Sequence, residues 1–411
     1  MPAGDIKISK LKVGDIDLTN FNQATYGEVN IFEDILNMYG AACEVQVIDH
    51  SDALGKTKTN GSFDKDIEIA FSTADSGGQV GFKFKFFGNK NLQDSADNHE
   101  GGLKSKTYEI RGVCSELLSA QSNPIKYSAE EPTSKMVETI LKKGFKTDKQ
   151  VDIQEQTKGK RRFEFRNEHP LKCLQKLNNE HVSQQNKSSA FVCFQRSESG
   201  KQKYIFATFE HLFKQSSVAT LKQVTTLDSG ASEKEKQNAI LSFNVSDSFF
   251  TPSRGLSKAE QYSYNPTTGK SDQVAQKPQN YSVAGSATYK TPPSNASSVP
   301  VHTVKDSAND KTATGVADAR KNRTDFLSHL TQNHATLEVI GNAAIKLGSI
   351  VKLEIPKKAD SGGSAGETQF NAEALVVSIR HKIKPAGQSP RYTMLLGVVK
   401  GGFKEGGDGN G

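Results

Sequence analysis

Histidines and closely spaced carboxylates are the residues of this sequence that could bind a metal. His329 and His334 are five residues apart, whereas two histidines that share a zinc ion on one helix face are four apart. Asp64, Asp66 and Glu68 alternate along a strand-like run, without the glycine and the spacing of a calcium loop. We interpret these groups as a solvated helix end and a solvated strand face, and we expect no metal site.

Catalytic motifs give no stronger signal. The chain contains neither the G-x-S-x-G motif of a nucleophile elbow nor the P-loop lysine motif. The C-terminal run 401–411 contains G-x-G, but not between a strand and a helix in the register of a dinucleotide site. We therefore predict no catalytic residue and no cofactor, which disfavours an enzyme such as a peptidoglycan hydrolase.

The four cysteines are Cys43, Cys114, Cys173 and Cys193, and no two of them form a C-x-x-C pair. Three of them lie among apolar residues. This pattern favours buried structural thiols in a reducing compartment over a metal site or a disulfide framework.

One basic run, Lys158–Arg162, is followed by aromatic residues Phe163 and Phe165 in alternation with charged ones. Interleaved aromatic and basic residues are typical of nucleic-acid contacts. The favoured interpretation is an exposed strand with both phenylalanines inward and the charged side chains outward.

Composition sets the broad class. The chain has 411 residues, of which 35% are hydrophobic, and 53 Lys+Arg against 46 Asp+Glu give a net charge of +7. This surface is mildly basic and is weak evidence for a nucleic-acid partner. Because no apolar run approaches about 20 residues and the first fifteen residues mix charged and apolar types, we expect no membrane insertion and no secretory signal.

Period-two alternation dominates the first 113 residues. The runs 43–47, 67–71 and 80–86 alternate apolar with polar or small residues, and turn-forming clusters separate them. Such alternation places one set of side chains in a core and the other set outside. We predict a first small β-barrel over residues 1–113.

A mixed α/β module is predicted over residues 114–239. The run 131–144 predicts a helix with Gly144 at its C-terminal end. A second helix is expected to open near Asn167 as its cap residue, with Pro170 in its first turn. Two strands are expected on either side of the turn at 197–200.

Residues 240–400 are predicted to form a second β-barrel. The last four strand-like runs, between 334 and 399, are too few to close a barrel, so Ile240–Phe250 is expected to supply missing strands. Residues 252–320 contain few apolar residues. We predict a long polar excursion at about 276–325, a short helix near Asp325 and Leu330, and a flexible glycine-rich tail over 401–411.

Two segments go beyond a generic β pattern. Gly27–Leu54 pairs two strand-like runs, and His334–Lys358 contains V-I-G-N-x-x-I-x-x-G-x-x-V-x-L over Val339–Leu353. Both segments resemble the baseplate hub family of contractile-tail phages, whose fold recurs in the late control protein D group and in the hub part of type VI secretion spike proteins.

The resemblance implies a mainly β protein with an α/β module (α+β): two related small barrels and a middle mixed domain in one chain. A homotrimer would then form a pseudo-six-fold ring with a central channel, which adapts a six-fold tail tube to a three-fold spike. The implied partners are the tail tube protein, a central spike protein and other baseplate proteins, with genome DNA passing through without specific binding. We expect the spike and any wall-degrading enzyme to be separate chains, and the ring to assemble in the host cytoplasm and lie in the virion.

The candidate subunit interface is the apolar run Ile31, Phe32, Ile35 and Leu36, which is denser than one barrel face requires. We expect Phe32 or Leu36 to lie at or beside a contact between copies. The alternative function is a tail or baseplate binding module that contacts nucleic acid or a host glycan through the basic strand and the polar 252–320 segment.

Overall fold

The structure is a computed structural model. It describes residues 3–20, 24–51, 54, 65–73, 78–94, 106–179, 181–185, 189–223, 232–247, 258–265, 270–274, 298–304, 333–356, 368–386 and 390–399. The chain is mostly β with a few helices, which confirms the predicted fold class.

The strands in chain order are β1 (Ile6–Val13), β2 (Ile16–Asp17), β3 (Ala24–Asp34), β4 (Ala42–Asp49), β5 (Asp66–Thr73), β6 (Gln79–Asp94), β7 (Lys106–Val113), β8 (Ile125–Glu131), β9 (Val151–Ile153), β10 (Arg161–Glu168), β11 (Phe191–Glu198), β12 (Lys201–Thr208), β13 (Ser217–Gln223), β14 (Ala239–Asp247), β15 (Lys258–Asn265), β16 (Lys270–Val274), β17 (Ser298–Val304), β18 (Asn333–Ile340), β19 (Ile350–Pro356), β20 (Thr368–Lys384) and β21 (Arg391–Val399). The helices are α1 (Ser115–Ser122), α2 (Thr133–Lys143), α3 (Pro170–Asn179), α4 (Phe209–Phe213) and α5 (Glu233–Gln237).

Thirteen strands form one continuous sheet in the order β19-β13-β14-β18-β21-β20-β3-β4-β7-β6-β5-β1-β2. The sheet closes on itself at two places. β19 also pairs with β20, which closes a ring of six strands. The backbone of Gly4–Ile6 pairs with residues 390–392, which joins β1 to β21 and closes a ring of eight strands.

The two rings share strands. The first half of β20 pairs with β19 in the six-strand ring, and its second half pairs with β3 in the eight-strand ring. β21 pairs with β18 on one side and with β20 on the other. The buried side chains of both rings therefore form one continuous apolar core, and closure leaves few strand edges exposed.

The α/β module has its own apolar core, formed by α2, α3, β11 and β12 with their neighbours. As predicted, α2 ends at Gly144, whose backbone N–H donates to the Ile140 carbonyl at 2.8 Å. The module contacts the eight-strand ring and the loop after β3 through hydrogen bonds. The Gly200 N–H donates to the Gln79 carbonyl at 2.8 Å, and the Tyr204 hydroxyl donates to the Met38 carbonyl at 3.3 Å.

Three local expectations differ from the structure. Asn167 does not cap α3, which begins at Pro170, because Asn167 has a φ of 61° and lies at a bulge near the end of β10. Leu241 and Phe243 alternate in the sequence as residues of one strand face, but Leu241 is 47% exposed while Phe243 is half-buried, since a bulge after Ile240 shifts the alternation. β13 lies in the six-strand ring, between β14 and β19, although the sequence boundary at 239 assigns it to the middle module.

The polar region contains backbone pairing that its composition did not predict. β15 pairs with β16 and β17 in a three-stranded sheet. The remainder of the predicted excursion, the expected helix near 325–330 and the tail 401–411 lie outside the described residues.

Candidate subunit interface

The outer face of β18, β21, β20 and β3, where the two rings meet, carries a cavity of about 360 Å³. We call it the junction cavity; its lining includes Phe32, Asp34, Ser378, Arg380, Leu395 and Gly397. Its volume falls in the range of about 300–1,000 Å³ that is usual for binding pockets.

The strand register brings four residues that line the junction cavity into one row. Thr336, Gly397, Ser378 and Asp34 face one another on adjacent strands and form one row across the sheet. Side chains on this row point away from the core, because their neighbours Leu337, Leu396 and Ile379 are buried. Gly397 has no side chain, and the Ser378 hydroxyl and the His334 imidazole take the space beside it, with the His334 Nε2 3.0 Å from where a Cβ atom would lie.

The next row along the strands supplies the apolar wall. Arg380 lies opposite both Leu395 and Phe32, and its guanidinium carbon lies 5.2 Å from the centroid of the Phe32 ring. The Arg380 Nε also donates to the Asn30 Oδ1 at 3.0 Å. Packing against the ring and the amide holds the guanidinium in place as a cation–π partner.

The cavity contains one half-buried titratable base. His334 lies at the start of β18, and burial lowers the pKa of its imidazole. Asp34 lies on the opposite rim and is exposed, and its Oδ1 accepts a hydrogen bond from the Leu36 N–H at 2.7 Å. The cavity therefore has the Asp34 carboxylate on its rim at the end of β3 and the Arg380 guanidinium in its lining.

A buried polar cluster lies on the inner side of the same strands. The His381 Nε2 is 2.8 Å from the Glu33 Oε2, and the His381 Nδ1 is 2.7 Å from the Tyr392 hydroxyl oxygen. Burial, followed by the charge of Glu33, raises the pKa of Tyr392 well above its ordinary value. These hydrogen bonds tie β3, β20 and β21 together beneath the junction cavity.

The four residues of the sequence-predicted interface separate into two pairs. Ile31 and Ile35 are buried in the chain's own core. Phe32 is half-buried in the wall of the junction cavity, and Leu36 is 58% exposed just beyond β3. Phe32 and Leu36 thus lie at the surface, and their role in a contact between copies stays a prediction.

Sequence reasoning missed Arg380 and Gly397. Both lie on outward-facing positions of strands that the alternation did predict, but their meeting with Phe32 depends on the pairing of β20 with β3, about 350 residues apart in sequence. No local pattern encodes that pairing.

The basic strand β10 has its phenylalanines inward and its charged side chains outward, which is the arrangement favoured from the sequence. Phe165 is buried and Phe163 half-buried, whereas Arg162, Glu164 and Arg166 are exposed. Part of the charge is compensated locally, since the Arg166 Nε lies 2.8 Å from the Glu164 Oε1. Its use as a nucleic-acid or glycan contact stays a prediction.

The four cysteines are free and buried, as their surroundings predicted. Among the residues that the structure describes, no group of three or more His, Cys, Asp and Glu side chains is placed to hold a metal ion. Within the same part of the chain, no helix has both the length and the apolar character needed to cross a membrane.

Comparison with protein-family models and with curated protein sequences gives no match. Comparison with solved structures gives matches over almost the whole chain. The 43 kDa tail protein of prophage MuSo2 from Shewanella oneidensis is 14% identical, with 97% of this chain and 98% of that one covered and a TM-score of 0.55. A tail protein from Neisseria meningitidis MC58 is 11% identical, with 96% and 97% covered and a TM-score of 0.59.

A third structure, the c3393 protein of E. coli, is a component of the type VI secretion system and is described as similar to the T4 bacteriophage tail proteins gp27 and gp5. It is 12% identical, with 98% of this chain and 79% of that one covered and a TM-score of 0.50. The chain therefore has the fold of phage tail proteins, with both rings and the α/β module included in the match.

Proposed function

We propose that this protein is a structural hub of a contractile phage tail or a related injection particle. The observation that carries the proposal is the pair of closed strand rings built from one sheet, in a chain that matches phage tail proteins along nearly its full length. A structural role fits the buried cluster of Glu33, His381 and Tyr392, whose side chains bond to one another inside the fold.

In this role three copies form one closed ring. Each copy contributes two barrel-like units, so three copies present six units to a six-fold tail tube and keep three-fold symmetry toward a central spike. Cyclic closure also uses each contact surface once and prevents open-ended growth.

Imaging of the particle together with light scattering tests this proposal. Antibody labelling of an epitope-tagged chain is expected at the tail tip, between tube and spike. Multi-angle light scattering on the protein with its spike is expected to give three copies per complex. A two-fold or six-copy assembly, or label confined to another part of the particle, contradicts the proposal, whereas a free monomer in dilute solution does not.

A further inference from the structure

A lysine, a glutamate and a glutamine meet inside the α/β module, close to the loop after β3. Lys149 lies just before β9, Glu116 lies in the first turn of α1, and Gln195 lies on β11. The Lys149 Nζ donates to the Glu116 Oε2 at 2.8 Å and to the Gln195 Oε1 at 2.9 Å. The exposed fraction is 13% for the Lys149 side chain, 1% for that of Glu116 and 2% for Gln195, so water has little access to this contact.

The Gln195 amide is held in place and its carbonyl is polarised. Its Oε1 also accepts from the Gln202 Nε2 at 3.4 Å and from the Cys114 Sγ at 3.6 Å. Its Nε2 donates to the Tyr39 carbonyl at 3.2 Å. Donors that converge on a carbonyl oxygen stabilise the negative charge that develops there when a nucleophile attacks the carbon.

Glu116 is placed to take a proton from the lysine ammonium. Its Oε1 accepts from the Thr147 hydroxyl at 2.7 Å, and its Oε2 accepts from the Ser115 hydroxyl at 3.2 Å. These bonds fix the carboxylate beside the Lys149 Nζ, where it can act as a general base. A free amine is a nucleophile, and an amine held against its target in the fold reacts at a high effective concentration.

Cys114 is a second nucleophilic side chain beside the amide. Burial raises the pKa of its thiol to about 11, so the thiol keeps its hydrogen at neutral pH. Because the thiolate is the reactive form of cysteine, Cys114 serves as a donor to the amide oxygen, and Lys149 is the group that attacks.

We propose that Lys149 and Gln195 join in an isopeptide bond that the folded chain forms on itself. The Lys149 Nζ, once Glu116 has taken its proton, attacks the Gln195 Cδ, and the carbonyl electron pair moves to Oε1. The pair then returns and the bond between Cδ and Nε2 breaks. Glu116 relays two protons from the lysine nitrogen to Nε2, which leaves as an ammonium ion. A lysine ammonium and a primary amide thus become a secondary amide and a free ammonium ion, with no oxidant or reductant.

The bond links the segment before β9 to β11 and closes a covalent loop through β10 and α3. A cross-link that closes a loop lowers the entropy of the unfolded chain, so it braces the module where the module contacts the loop after β3. This inference goes beyond the hub function and does not depend on it.

Mass spectrometry of the full-length protein tests the bond. The intact mass of natively purified protein, measured in denaturant, is expected to be lower than the mass of its sequence by one ammonia. Proteolytic digestion is expected to give a branched peptide in which Lys149 is joined to Gln195. Protein at its full sequence mass overturns the inference, and so does a loss of ammonia that digestion places at other residues.

Three variants assign the roles, and circular dichroism checks that each is folded. Lys149→Arg and Glu116→Ala are expected at the full mass of their sequences, because the first lacks the nucleophile and the second lacks the base. Lys203→Arg is the matched control, since Lys203 is also a partly buried lysine with a carboxylate partner, Asp152 at 3.2 Å, and it is expected to keep the loss of ammonia. A branched peptide at wild-type yield in Glu116→Ala protein overturns the role of Glu116, and Lys203→Arg protein at its full mass overturns the assignment to Lys149. The wild-type mass decides the inference whether or not the variants fold.

Discussion

At the scale of single residues, the Glu33–His381–Tyr392 cluster places three polar side chains inside the fold. All three side chains are buried, and the edges of Phe71 and Phe82 approach the His381 ring. The neutral histidine tautomer with its hydrogen on Nε2 donates to Glu33 and accepts from Tyr392, so both contacts are satisfied. Loss of one partner leaves a polar group buried without its hydrogen bond.

Removal of the histidine alone is therefore expected to destabilise the protein strongly. We predict that His381→Leu lowers the free energy of unfolding by about 3–5 kcal/mol, because the Glu33 carboxylate loses its partner inside the core. The double variant Glu33→Leu/His381→Leu is expected to lose less than the single variant. Urea unfolding followed by circular dichroism measures both.

Lys384→Ala is the matched control on the same strand. Lys384 forms an exposed pair with Glu28 at 3.1 Å, and exposed pairs contribute less than about 1 kcal/mol. If His381→Leu costs no more than Lys384→Ala, the cluster does not stabilise the strands.

The buried thiols give a second residue-scale prediction. Burial raises the pKa of Cys114 to about 11 and those of Cys173 and Cys193 to about 12, and it raises the pKa of Cys43 further. Since the thiolate is the reactive form, we expect no reaction with a thiol reagent at pH 8 in the native state and four reacting thiols in denaturant. One thiol that reacts rapidly in the native protein would contradict this prediction.

At the scale of elements, the turn between β18 and β19 packs against β11 of the α/β module, whose Phe194 belongs to the core of the rings. Gly348, the last glycine of the Val339–Leu353 pattern, has a φ of +77°. A Cβ atom there would lie 2.7 Å from Phe194 Cζ in the α/β module. The Gly348 N–H also donates to the Val376 carbonyl at 2.9 Å, which fixes the turn against β20.

We predict that Gly348→Ala destabilises the protein by about 1–3 kcal/mol, because the backbone conformation is strained for alanine and the ring of Phe194 must move. Gly88→Ala is the control, since nothing lies within 4 Å of its added Cβ, and its effect is expected within about 0.5 kcal/mol. Thermal unfolding of the two variants side by side measures the difference, and equal shifts would mean that the turn is not a close contact.

The pairing of strands marks the limit of what could be predicted from the sequence. Alternation predicted β4, β5 and the last four strands, because one buried face imposes a period of two on each strand. It could not predict that β20 is long enough to serve both rings, since that depends on pairing with β3 and β19. It also placed β13 in the middle module and did not indicate the bulge beside Leu241, because a parallel partner far along the chain and a bulge leave no periodic signal. The junction cavity needs four paired strands and could therefore not be predicted, although Phe32 was predicted as an interface residue.

At the scale of the whole molecule, the rings are completed by strands from both ends of the chain. β13 and β14 come before the polar region, and they lie between β18 and β19, which come after it. β3 pairs with β20 over residues 29–34, and Gly4–Ile6 pairs with the start of β21. Neither half of the chain can close either ring alone.

Two fragments produced by a cut in the polar region should therefore stay associated. We predict that limited proteolysis cuts within 276–325, and that a specific protease site inserted near residue 285 is cut with the same result. The two fragments are expected to co-elute in size-exclusion chromatography and to separate only in denaturant, because the antiparallel pairs β14–β18 and β20–β3 and the parallel pair β13–β19 all join one fragment to the other. Fragments that separate in native buffer would show that the polar region is a linker between independent domains, and the shared-strand description of the two rings would then be wrong.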